Sequence, residues 1–129
     1  MKLSKNFSKS EFMCSCGCEM PNDVLENIQE VANQLQILRD RVNVPIKVNS
    51  AYRCLKHNRS IGSNDSSQHP KGKAVDIVIR GYIPDKTANL IELLISNGDM
   101  LQGGLGKYNG FTHYDIGHNG RRRRWDNRK

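Results

Sequence analysis

The chain has 129 residues, 36% of them hydrophobic and 26% charged, with a formal net charge of +7. That length holds one domain, residues 1–129, with room for a real core and little for a second unit. No apolar run is long enough to span a membrane, and Met1–Ser10 lacks a hydrophobic signal segment, so synthesis in the cytoplasm is expected. The basic balance favours polyanionic partners without choosing between nucleic acid, anionic lipid and an anionic cell wall. Much of the excess sits in Arg121, Arg122, Arg123, Arg124, Arg128 and Lys129. Residues 118–129 therefore read as a basic C-terminal tail, either a solvated end or a contact for anionic wall polymers.

Taken in chain order, Ser8-Lys9-Ser10-Glu11 has the pattern of a capping box, so a short helix or turn starts there. A cysteine loop follows. Cys14, Cys16 and Cys18 lie in five consecutive residues, and Cys54 is the fourth cysteine. Their spacing is tighter than that of a usual zinc knuckle. Plain thiols, a disulfide involving Cys54 and a structural metal all remain open.

A long helix starts at Pro21 to Asp23. Leu25, Ile28, Val31, Ala32, Leu35, Leu38 and Val42 recur at helical spacing and form one buried stripe. Pro45 stops it, and the alternation of Ile46 and Val48 with Lys47 and Asn49 marks a short strand. Ser50–Asn58 leads into a polar loop, 59–68. Residues 73–80 form a second strand, apolar on both faces and so central in its sheet. Pro84 opens another helix with Leu90, Ile91, Leu94 and Ile95 inside and Gly98 at its end. Residues 101–108 and 112–117 form two strands joined at Asn109-Gly110, a hairpin signal. The order predicts an α+β domain, a small, mainly antiparallel sheet packed against helices.

The chemistry concentrates in two places. His69 closes the polar loop, and seven residues later Asp76 interrupts an apolar strand. A carboxylate there is costly unless a cation or hydrogen-bond donors meet it. Further on, Thr112-His113-Tyr114-Asp115 places His113 and Asp115 on one strand face. If the two strands are neighbours, His69, Asp76 and His113 converge. Two imidazoles and one carboxylate leave a fourth tetrahedral position open, as in catalytic zinc sites. Each residue alone has a bland reading: a satisfied core histidine, or an aspartate in an ion pair.

These motifs resemble the zinc D-alanyl-D-alanine carboxypeptidase and L-alanyl-D-glutamate endopeptidase family. That family includes phage endolysins and shares its metal core with the Hedgehog amino-terminal domain. The resemblance rests on Ser50-Ala51-Tyr52-Arg53 with Asn58, and on Ser67-Gln68-His69 with Gly72, Ala74 and Asp76. It continues through Gly103-Gly104-Leu105-Gly106-Lys107-Tyr108 and Phe111-Thr112-His113-Tyr114-Asp115. It implies Zn²⁺ held by His69, Asp76 and His113, with stem peptides of peptidoglycan as substrate. It implies that Arg53 holds a substrate carboxylate or steadies the oxyanion; its bland alternative is an ion pair with Asp65 or Asp115. Ser67 and Gln68 would orient the loop or touch substrate.

Two departures stand out. Many members carry a glutamate three residues before the last histidine, where this chain has Gly110. Asp115 is then the available acid, as general base or as a carboxylate orienting a ligand, with the base role preferred. The ending after Asp115 also differs, although Trp125 keeps part of it. The resulting expectation is a monomeric zinc peptidase acting on the cell wall, an endolysin-like enzyme reaching its substrate after phage-type release. The alternative is a non-catalytic zinc-containing wall-binding module. A nucleic-acid reader is disfavoured, because no aromatics interleave with the basic residues.

Overall fold

The computed structural model describes residues 1–129. Near the N-terminus, β1 (Lys2–Ser4) and β2 (Phe7–Ser8) form a two-stranded antiparallel ribbon, followed by a 3-10 turn over Lys9–Phe12. The Glu11 side chain accepts from the Ser8 backbone N–H at 2.7 Å, which fixes the entry to that turn. Phe7 and Phe12 are thereby buried against the rest of the core.

Helix α1 spans Asn22–Val42. It ends where Asn43 takes a left-handed conformation (φ 54°) and its N–H bonds the Arg39 carbonyl, a cap that asparagine tolerates. Strand β3 (Ile46–Ser50) follows, then a short helix α2 (Leu55–Ser60), β4 (Ala74–Ile79), α3 (Pro84–Ser96), β5 (Gly104–Lys107), β6 (Thr112–Asp115) and β7 (Arg123–Asp126). The main sheet has the order β3-β4-β6-β5-β7. Its first three pairings are antiparallel and only β5–β7 is parallel. The α+β class and the mainly antiparallel sheet follow the sequence reading.

One face of the sheet makes the core. Val75, Ile77, Ile79, Leu105 and Tyr114 are buried in a single cluster with Ile28, Val31, Leu35 and Leu38 of α1 and Ile91 and Leu94 of α3. Each such side chain contributes about 1.5–3 kcal/mol when fully removed from water. The opposite face carries the chemistry, because alternation sends Asp76, His113 and Asp115 away from the core.

Two elements differ from the sequence expectation. Residues 55–60 form a helix that the sequence reading does not assign, its last two residues falling in the loop expected from 59; this helix is short and has no apolar stripe. Its Asn58 is fully buried and donates to the Asn64 carbonyl at 3.0 Å, tying the helix to the loop that follows. The segment read as a basic tail is partly folded into the sheet. Arg124 donates to Glu92 on α3 at 2.7 and 2.9 Å, so β7 is held by ion pairs as well as by its backbone. No helix is long and apolar enough to cross a membrane.

Candidate metal centre

The site is built from two cross-strand rows. In the first, Ser50, Asp76, His113, Gly106 and Trp125 are paired in register across all five strands. In the second, Ala74, Asp115, Gly104 and Arg123 are paired in the same way. Paired residues share a face, so both rows look toward the same side of the sheet. The glycines of β5 matter here. A Cβ at Gly106 would run into the Trp125 indole. With hydrogen in its place, Trp125 reaches across β5 and its ring centre lies 5.0 Å from that of His113.

His69 enters from outside the sheet. It starts a 3-10 turn, His69–Lys71, that Gly72 ends at φ 74°. A side chain at Gly72 would strike Val24 of α1, with the nearest atom 2.7 Å from the added carbon. Glycine therefore supplies both the left-handed turn and the close approach. The Ala51 carbonyl lies 2.6 Å from His69 Nδ1. A carbonyl only accepts, so Nδ1 carries the proton and the lone pair of Nε2 points the other way. Nε2 lies 3.3 Å from Asp76 Oδ2.

His113 is oriented in the same manner from the opposite side. Its Nε2 donates to Asp115 Oδ2 at 2.7 Å, and its Nδ1 lies 3.0 Å from Asp76 Oδ1. One ligand atom from each of His69, Asp76 and His113 lies within 4.8 Å of the other two. All three residues are buried, with exposures of 2%, 8% and 7%. The near nitrogens of both imidazoles and the Asp76 carboxylate thus face one point, an arrangement that a shared proton or a bound metal cation relieves. The donor set fits Zn²⁺, for which nitrogen and carboxylate oxygen are ordinary ligands.

The charges of these groups are coupled. Burial pushes the Asp76 carboxyl up, yet hydrogen bonds from His113 and His69 more than offset it and hold the acid well below the carboxylate range. Burial depresses the His113 imidazole, but Asp115 and Asp76 outweigh this and leave its pKa raised. Asp115 is completely buried. Its Oδ2 is used by His113, while Oδ1 accepts from the Gly104 N–H at 3.0 Å and from the Arg123 guanidinium.

Above this floor lies a cleft of about 420 Å³ whose lining includes Arg53, Ser67, Tyr108, Phe111, Arg123 and Trp125. Arg53 is half-buried and its Nε has no hydrogen-bond partner. Asp65 pairs with Arg59 at 2.7 Å and Asp115 pairs with Arg123, so neither acid engages Arg53. Burial lowers the Arg53 pKa, partly countered by the nearby Asp76 charge. Ser67 lines the cleft, and its Oγ accepts from the His69 N–H at 3.2 Å. Gln68 is not among the cleft-lining residues, and its Oε1 is buried without a partner.

The sequence reading missed Arg123 and Trp125 as parts of this site. Their signal was the alternation of Arg123 with Trp125 opposite the alternation of Gly104 with Gly106. No protein in the curated set gives a match to this chain. A profile of the family described as Peptidase M15 matches residues 5–115, a span holding His69, Asp76 and His113. With that match over most of its length, the chain belongs to the Peptidase M15 family.

Proposed function

We propose that this chain hydrolyses a peptide bond in the stem peptides of bacterial peptidoglycan, using zinc held by His69, Asp76 and His113. Membership of the M15 family supports a zinc peptidase acting on peptidoglycan in general. The observation that carries the reading for these residues is the tethering of the two histidines: Ala51 and Asp115 hold their far nitrogens, so the near ones converge with Asp76 and accept a metal once any proton there is displaced. Bound there, zinc supplies a Lewis acid for the scissile carbonyl and a water of lowered pKa.

The chain's own groups then have separate tasks. Arg53, a cleft-lining residue paired with no acid, binds a substrate carboxylate or steadies the charge that develops on the carbonyl oxygen. Ser67 holds the backbone at His69, and the Gln68 carbonyl accepts from Lys71 and Lys73, closing the turn that follows. Tyr108 and Trp125 form a half-buried aromatic wall, with the Trp125 Nε1–H donating to the Tyr108 hydroxyl at 3.0 Å. In this reading Asp115 is a positioning residue rather than the general base, because both its oxygens are engaged and none faces the cleft.

The bond cut is either the terminal D-Ala–D-Ala linkage or an internal L-Ala–D-Glu linkage. An endolysin-like role, with a monomer reaching the wall after release from the cytoplasm, is part of the same proposal. Exposed Arg121 and Arg122 would add attraction to anionic wall polymers. Mass spectrometry of purified peptidoglycan after digestion tests the reading, since new fragments name the bond. Unchanged fragments after treatment with zinc-loaded protein would refute it.

One observation favours a second reading. Apart from Asp76, no carboxylate lines the cleft, so no acid stands ready beside the metal to move protons. A non-catalytic zinc module that binds stem peptides would share this geometry. It would bind purified walls and release nothing from them.

A further inference from the structure

Behind the segment that carries Arg53, four thiols converge. The Cys14–Cys18 loop turns at Gly17 (φ 84°), whose N–H donates to the Cys14 carbonyl at 3.0 Å. The fourth thiol arrives from Cys54, the residue that caps α2. The Sγ atoms of Cys14 and Cys16 lie 3.2 Å apart, and those of Cys16 and Cys54 lie 3.5 Å apart. All four Sγ atoms lie within 4.8 Å of one another. Tetrahedral zinc with sulfur bonds of about 2.3 Å sets its sulfurs about 3.8 Å apart, inside that spread. Disulfides would draw sulfurs together in pairs. Mutual approach of all four is the pattern of one shared centre.

Polar groups stand beside the cluster. The His57 backbone N–H donates to Cys54 Sγ at 3.4 Å. Four thiolates around a divalent ion leave net negative charge, and Lys56 lines the same hollow. The loop spacing alone is too tight for a usual knuckle, but a remote fourth ligand from α2 completes a tetrahedron without a second local pair.

We propose that Cys14, Cys16, Cys18 and Cys54 form a structural tetrathiolate zinc centre that ties the N-terminal segment to the cleft wall. Binding displaces the thiol protons to solvent. With all four positions filled by sulfur, the ion takes no water and performs no chemistry. Its effect is positional. Cys54 directly follows Arg53, the Tyr52 N–H donates to the Phe12 carbonyl at 3.0 Å, and Ala51 holds His69. A metal clamp between the cysteine loop and Cys54 therefore pins the stretch that supplies both Arg53 and the His69 tether.

The test uses full-length protein purified with zinc under reducing conditions. X-ray absorption is measured on the His69→Ala, Asp76→Ala double variant, which isolates the cysteine centre whatever the fate of the peptidase reading. The expected result is bound zinc in a sulfur-only shell at about 2.3 Å. In the wild type, a mercurial thiol reagent should release that zinc, and the Cys16→Ser, Cys18→Ser variant should lack it. If that variant does not fold, the absorption spectrum of the double variant still decides. A double variant free of zinc, a shell without sulfur, iron in place of zinc, or disulfides in the native protein would each overturn the proposal.

Discussion

Arg123 and His113 share one carboxylate: Asp115 accepts the His113 Nε2–H at 2.7 Å on one oxygen and the Arg123 guanidinium on the other. A strand from the C-terminal segment thus fixes the orientation of His113 two strands away. Replacing Asp115 with Asn should weaken zinc binding about 10–100-fold, the usual effect of losing a partner that orients a ligand. Activity per bound zinc should change little. A general base would behave in the opposite way, keeping zinc and losing about 10²–10⁴ in rate. Zinc titration alongside hydrolysis at saturating zinc separates the two.

Arg53→Ala should fold normally and lose most turnover. A surface ion pair is worth at most about 1 kcal/mol, whereas one lost oxyanion donor costs about 2.7–4 kcal/mol. Thermal unfolding and hydrolysis rates of the same preparation check this. Hydrolysis near wild-type levels would leave Arg53 as structure only.

Metal removal should be reversible and pH-linked. His113 holds its proton above the ordinary imidazole range in the metal-free protein, because Asp115 and Asp76 outweigh the effect of burial. Zinc must displace that proton, so affinity should fall as pH drops and binding should release protons. Calorimetry in buffers of different ionisation enthalpy measures the release. His69→Ala and Asp76→Ala should each abolish binding at this centre.

The C-terminal arginines should divide into two groups. Arg124 is tied to Glu92 and the Gly103 carbonyl, so Arg124→Ser should lower the unfolding temperature. Arg121 and Arg122 are exposed, so replacing both with Ser should leave the unfolding temperature alone. That pair of changes should instead reduce wall adsorption at low salt, where attraction between separated charges is least screened. Cosedimentation with purified walls over a salt series reads the difference. Unchanged adsorption would remove these arginines as an anchor.

The core elements were legible because periodicity writes them locally. The α1 stripe from Ile28 to Leu38, the apolar run of β4 and the hairpin at Asn109-Gly110 each declare themselves within a few residues. Helix α2 did not, being short and polar, with its one buried side chain, Asn58, serving the following loop. Strand β7 was hidden by four consecutive arginines, and its parallel pairing with β5 is a long-range fact that no local pattern announces. The convergence of His69, Asp76 and His113 was readable from strand alternation and the family resemblance. That Trp125 and Arg123 cross β5 at its glycines was not, since it depends on β7 being a strand at all. The same dependence on tertiary pairing hid the engagement of both Asp115 oxygens.

The most direct measurement is the release of new amino groups from purified peptidoglycan by zinc-loaded wild-type protein, before and after chelation. The account predicts release that stops when zinc is withdrawn, returns when zinc is restored, and is missing in the His69→Ala, Asp76→Ala double variant. Zinc-loaded protein that binds the walls yet releases no amino groups would contradict it.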